Sequence, residues 1–240
     1  MKMAYSISHK IVKNTLFNAA GRFWGILIGL LLTPYIIRHL GLEKYGILTL
    51  VGATTGYFGL LDFGIGASFV KYIAEFHVDK DSGKINQLIV TGFLFYSALA
   101  FFFAGLSLFV AKPLALLLKT RPDLYPETVI VFVIGIITFG LSNALSVFAA
   151  IQSGLQRMDI SNKVGMGMSV INALGTVFCL ENAHGLIGLM LLNAGMVIIG
   201  GACNIIIAYR IMPGLSLGFR NYSGAMFGKM FRLGYKMQVN

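Results

Sequence analysis

The run from Tyr45 to Tyr72, YGILTLVGATTGYFGLLDFGIGASFVKY, is apolar or small over almost its whole length and carries one acid, Asp62. A helix of about 20 such residues crosses the ~30 Å hydrocarbon core of a bilayer, so the run predicts a membrane span. With a turn of ~100° per residue, Gly52, Thr55, Gly56, Gly59, Asp62 and Gly66 fall within ~60° of Gly59. Small residues and the charge thus share one face. That face is expected to turn away from lipid, because small side chains admit a close neighbour and a carboxylate in hydrocarbon is costly. Asp62 is the first functional candidate.

Composition places the whole chain in the same solvent. Of its 240 residues, 57% are hydrophobic and only 12% charged, against about 25% charged in soluble domains. Mean hydropathy is +0.79. An integral membrane protein follows. The formal charge of +10 does not point to nucleic acid, because the basic residues stand at the ends of apolar runs. Membrane topology and anionic lipid account for them, and no nucleic-acid partner is expected. Cys179 and Cys203 lie in apolar runs without metal-ligand spacing and are read as packing residues. The first apolar run is too long to be the core of a cleavable signal.

Six apolar runs predict six transmembrane helices, at about residues 15–37, 45–72, 85–111, 128–151, 164–180 and 186–209. Residues 1–13 are a basic leader and residues 38–44 a short return. Residues 71–84 read as a polar connection with a short interfacial helix. The segment AKPLALLLKTRPDLYPE, with three of the five prolines, reads as a loop. QSGLQRMDISNK and ENAHG read as polar turns. Beyond residue 210, Met226, Phe227, Met230, Phe231 and Tyr235 fall on one side and Lys229, Arg232 and Lys236 on the other, as in a basic amphipathic helix at a membrane surface. The expected fold class is all-α integral membrane, with residues 1–210 as a six-helix lobe and 211–240 as a cytoplasmic interfacial segment. With the N-terminus in the cytoplasm, thirteen Lys and Arg fall inside. Five, Arg38, Lys44, Lys112, Lys119 and Arg121, fall outside, and Arg22 lies within the first span. That bias sets the expected orientation.

The first span repeats the pattern of the second. Asn18, Arg22, Gly25, Gly29 and Thr33 lie within ~60° of Arg22, and Asn14 and Lys10 extend the ladder towards the cytoplasm. Arg22 and Asp62 come out at similar depth, so a pair between them is geometrically possible. Two readings follow. In one, Arg22 snorkels, Asp62 pairs locally, and both are structural. In the other, favoured because intramembrane charges are rare and line pathways, they face an aqueous cavity in which Arg22 attracts an anionic head group. Thr138, Ser142 and Ser146, with Asn143 beside them, Asn172 with Thr176, and Asn193 and Asn204 are weaker polar sets, read as interhelical hydrogen bonds. The four histidines form no metal-ligand spacing. No phosphate loop, nucleophile elbow or carboxylate pair is present, so no enzyme chemistry is expected.

Three stretches carry a resemblance. NTLFNAAGRFWGILIGLLLTPYIIRHLGLEKYGILTL with its LG-x-x-x-YG turn, LLDFGIGASFVKYIAE, and IQSGLQRMDISN together resemble the polysaccharide-export flippases. These are the O-antigen and lipid-linked oligosaccharide flippases of the superfamily that also holds multidrug extruders. The resemblance covers essentially the whole chain. It implies a plasma-membrane protein of two pseudo-symmetric six-helix lobes around a central cavity. Such a protein turns an undecaprenyl-pyrophosphate-linked oligosaccharide from the inner to the outer leaflet by alternating access. Arg22, with Asn18 and Asn14, then becomes the substrate-binding candidate, Asp62 the candidate for ion coupling or gating, and Lys71 with Glu75 an inner gate. The implied partners are lipid-linked oligosaccharide, the bilayer, and the polysaccharide polymerase and chain-length machinery. No cofactor is implied beyond coupling to a proton or sodium gradient. The chain has the length of one lobe. The expectation is therefore a first lobe leading to a missing second one, with a multidrug or cation antiporter, a homodimer of half-transporters and an inactive truncated fragment as the alternatives.

Overall fold

A computed structural model describes residues 2–62 and 64–239, with side chains described from residue 19 onward except at 60, 61, 238 and 239. Among the described residues there are helices and turns and no strand. They are α1 (Lys2–Leu40), α2 (Leu42–Phe58), a 3-10 turn (Gly59–Asp62), α3 (Ile65–Val78), α4 (Ser82–Leu117), α5 (Tyr125–Gly154), α6 (Met158–Glu181), α7 (Gly185–Ile211), a second 3-10 turn (Phe219–Asn221) and α8 (Gly224–Val239). Among the described residues, five stretches are long and apolar enough to cross a membrane: Ala19–Leu40 of α1, and α4, α5, α6 and α7.

The second expected span is not among those five. It is split into α2, of 17 residues, and α3, of 14, by the 3-10 turn and by Gly64 at φ 70°. The cause is local. Glycine adopts the left-handed region without a Cβ penalty, and Asp62 Oδ2 accepts the Gly66 amide N–H at 3.0 Å. Such a side chain to backbone bond competes with continued helix. The single face drawn through Gly52, Thr55, Asp62 and Gly66 therefore does not exist as one face.

Helices also run further than the hydropathy pattern suggests. α1 continues to Leu40 and turns on Gly41 at φ 82°. α4 passes through Pro113 to Leu117, and α6 starts at Met158 inside the expected polar turn. Polar residues at a span end keep helical hydrogen bonds, so hydropathy marks the bilayer and not the helix terminus.

α4, α5 and α7 form the packed centre. Gly140 of α5 meets α4 so closely that an added Cβ would lie 2.8 Å from Ala100 Cα, the small-residue contact that lets apolar helices approach. α3 lies on α4 and α5, and α2 buries Ile47 and Val51 against α5 residues Val131 and Phe132. α1 packs on α6, and α6 on α7. α8 returns to α3 and α4, where Leu215, Met226 and Met230 join the core that holds Phe69 and Tyr96. The buried Asn86 side chain secures that return, donating to Gly214 O at 2.9 Å and accepting from the Ser216 amide at 3.1 Å. Thr91 Oγ accepts from the Ser223 amide at 3.1 Å. The apolar side of α8 is thus partly spent on protein: Met226 and Met230 are buried, whereas Phe231 and Tyr235 are exposed with Lys229, Arg232 and Lys236.

The turns α1/α2, α4/α5 and α6/α7 gather at one end of the bundle. Lys44 pairs with Glu127 at 2.8 Å and Arg121 with Glu43 at 3.3 Å. Glu181 accepts the Tyr35 hydroxyl at 2.5 Å and faces His39 Nε2 at 3.5 Å. At the other end Asp81 caps α4, accepting the Lys84 amide at 2.9 Å and pairing with its ammonium at 2.8 Å. The Lys84 contacts hold the Asp81 carboxyl below its ordinary range. This cap therefore contributes at neutral pH and is lost as pH falls through that lowered value.

Candidate functional site

α1 brings Arg22 into a groove against α6. The two helices are tied by Trp24, whose indole N–H donates to Ser169 Oγ at 2.8 Å. Gly21 leaves room for the Asn162 side chain. The groove encloses about 460 Å³, and its floor is Asn162, Gly165, Met166 and Ser169 of α6. Arg22 is exposed there and forms no ion pair among the described residues. The side chains of Asn14 and Asn18, expected beside it, lie outside the described residues, and only their place on α1 is known.

A second cleft opens along α6. Gly165 and Ser169 line both cavities, so the groove and the cleft meet on that helix. The cleft encloses about 400 Å³ between α6 and α7, with Asn172, Asn193 and Asn204 on its walls. It continues beneath α2 and along α5 past Thr55, Thr138, Ser142 and Ser146. Among the described residues lining the groove, the cleft and its two extensions, Arg22 alone carries a charge. A guanidinium keeps its charge at any working pH and presents a planar fork of donors suited to phosphate oxygens. Among the described residues the trough is therefore a mixed polar and apolar surface with one cation at its edge.

Most of the weaker polar sets do not make the interhelical bonds expected of them. Asn204 does, accepting from the fully buried Gln152 at 2.7 Å. Asn143 and Ser146 bond to their own helix. Ser142, Asn172 and Asn193 make no hydrogen bond among the described residues and face the cleft instead. The four-residue ladder of Thr138, Ser142 and Ser146 was the available signal. Nothing in it says whether a neighbour or a cavity covers it.

Asp62 stands apart from this trough. Its carboxylate accepts the Tyr96 hydroxyl on α4 and the Gly66 amide on α3. The Arg22–Asp62 pair does not form, because the break after α2 turns Asp62 towards α4 while Arg22 faces α6. Tyr96 is 2% exposed. Tyr96→Phe is expected to strip one donor from the carboxylate and cost about 1–3 kcal/mol, read as a lower thermal midpoint in detergent. Asp62→Asn leaves one amide oxygen where Tyr96 and Gly66 each use a separate carboxylate oxygen, so it too should lower the midpoint. Equal midpoints for wild type and Tyr96→Phe would show that the bond contributes nothing. Lys71 and Glu75 are both exposed on α3 and form no ion pair with each other among the described residues. Lys71 Nζ lies 5.3 Å from the Tyr72 ring centre, and the Tyr72 hydroxyl donates to Lys229 O at 3.4 Å, which ties this part of α3 to α8.

Among the described residues, five stretches of membrane-spanning length define a multi-pass membrane protein. The chain belongs to the family of polysaccharide biosynthesis proteins, which it matches over residues 11–240. It is similar to the Shigella flexneri protein named "Putative O-antigen transporter", with 24% identity over 231 residues, 96% of this chain and 54% of that one. The chain thus spans about half the length of the curated relative it matches. No solved structure matches it.

Proposed function

We propose that this chain forms one six-helix lobe of a flippase that carries undecaprenyl-pyrophosphate-linked oligosaccharide from the inner to the outer leaflet. The observation that carries the reading is Arg22, a cation within a membrane-length helix, lining a groove with no countercharge among the described residues. Burying a charge in that setting is costly, and an anionic substrate repays the cost. Family membership and the named relative support polysaccharide precursors as the cargo class. In this reading Asn14 and Asn18 lie on the Arg22 face, α2 and α3 together make one interrupted crossing, and α8 rests at the cytoplasmic interface with the N-terminus on the same side. A second lobe would close the trough, and alternating access would arise between the two lobes without covalent chemistry. Asp62 serves coupling to a proton or sodium gradient or gating at the break, with Lys71 and Glu75 at the inner gate. The polymerase and chain-length machinery receive the product in the plasma membrane.

The test is made in the source cell. Deleting the gene is expected to trap lipid-linked oligosaccharide in the inner leaflet and to remove surface polysaccharide, with both restored by the wild-type gene. Unchanged glycolipid and surface polymer, with heightened sensitivity to cationic dyes, would instead establish the antiporter alternative. Among the described residues the trough is lined by a cation and no acid, which disfavours that alternative.

A further inference from the structure

We infer that the cleft between α5, α6 and α7 is a subsite for uncharged sugar units, distinct from the Arg22 groove that meets it along α6. The inference rests on the flippase reading and adds which part of the cargo goes where. The cleft of about 400 Å³ and its extension along α5 are lined by no charged residue among those described. An acidic sugar or a pyrophosphate seated there would lose hydration with no cation in return. A neutral pyranose has the opposite needs. Its hydroxyls both donate and accept, and its C–H faces are apolar. The cleft answers both, with Ser142, Asn172 and Asn193 for the hydroxyls and Met196 and Val197 for the ring faces.

Two features separate this surface from ordinary helix packing. The side chains of Ser142, Asn172 and Asn193 have no hydrogen bond among the described residues, so lipid tails or an apolar helix over them would leave their polar groups unmet. The fully buried Gln152 also donates to Asn204 Oδ1 at 2.7 Å. That bond ties one end of the Asn204 amide to the protein and leaves the other end for the cleft. Gln152 is thus a positioning residue that sets which end of an amide the cargo meets. Where the groove and cleft join, at Gly165 and Ser169, one ligand can place its phosphate on Arg22 and its sugars across α6.

The experiment uses the full native protein in lipid nanodiscs and three probes: farnesyl pyrophosphate, the same lipid bearing a neutral N-acetylhexosamine, and the same lipid bearing a hexuronic acid. Wild type is expected to bind the neutral glycolipid about tenfold more tightly than the bare lipid, the worth of one or two hydrogen bonds. Asn193→Leu should erase that increment and leave the bare-lipid affinity unchanged, whereas Arg22→Ala should weaken all three probes alike. Should Asn193→Leu fail to fold, Ser142→Ala and Asn172→Leu are expected to reduce the increment in the same way. Equal binding of bare and neutral lipids by wild type, an increment that survives these substitutions, or preference for the hexuronic acid would overturn the subsite and leave the flippase reading standing. Binding of none of the probes would remove both.

Discussion

Arg22→Ala is expected to lower transport of the lipid-linked oligosaccharide by about two orders of magnitude while leaving folding intact. A guanidinium that grips pyrophosphate in a bidentate manner is worth roughly 2–3 kcal/mol or more when truncated, which converts to about 100-fold. Folding should survive because Arg22 is exposed in its groove and has no ion pair among the described residues to lose. Arg22→Lys keeps the charge but not the planar fork, so an intermediate loss is expected. Surface polysaccharide in a complemented deletion strain, at matched membrane expression, is the readout. Normal polymer from the alanine variant would remove Arg22 from the substrate path.

Gly64→Ala is expected to damage the fold itself. Gly64 sits at φ 70°, and a Cβ there would lie 2.4 Å from the carbonyl oxygen of Gly234 in α8. The left-handed backbone alone costs an alanine roughly 1–2 kcal/mol, and the clash is with backbone, which cannot swing aside as a flexible side chain would. α8 must lift from α3, or the break must straighten. The expected result is a fall of several degrees in thermal midpoint and new protease cleavage at Lys229 or Arg232. Gly59→Ala is the matched control: it lies at φ −60°, with nothing within 4 Å of its would-be Cβ. A Gly64→Ala protein as stable and as protease-resistant as that control would show that the α3–α8 contact does not hold the break in place.

The break explains why Asp62 was legible as a special residue but not as what it is. An acid in an apolar run must find partners, and the sequence alone says so. Which partners depends on backbone phase, and a helical wheel assumes one unbroken helix through Gly59 and Gly64. Glycines at 59, 64 and 66 around an aspartate formed a breaker signal inside the run. Its hydropathy concealed it. The polar residues of α5, α6 and α7 show the converse. Each was visible singly as a hydroxyl or amide in a span, and interhelical bonding was the natural reading. Only packing shows that Asn204 has such a partner while Asn193 and Ser142 face a cavity.

The amino-acid sequence by itself determined the solvent, the helical class and the family, because burying backbone in hydrocarbon permits few solutions and long apolar runs announce the one taken. It also singled out Arg22 and Asp62, since ionised groups are too costly in such runs to be incidental. Tertiary structure alone decided that α2 and α3 are separate helices, that Arg22 faces α6 while Asp62 bonds to Tyr96, and that neutral amides from α6 and α7 line one cleft. Those outcomes depend on the rotation of each helix against its neighbours. That rotation is set by contacts between residues far apart in the chain, such as Gly140 with Ala100 and Trp24 with Ser169. Hydropathy is a property of single residues and carries no record of such pairs.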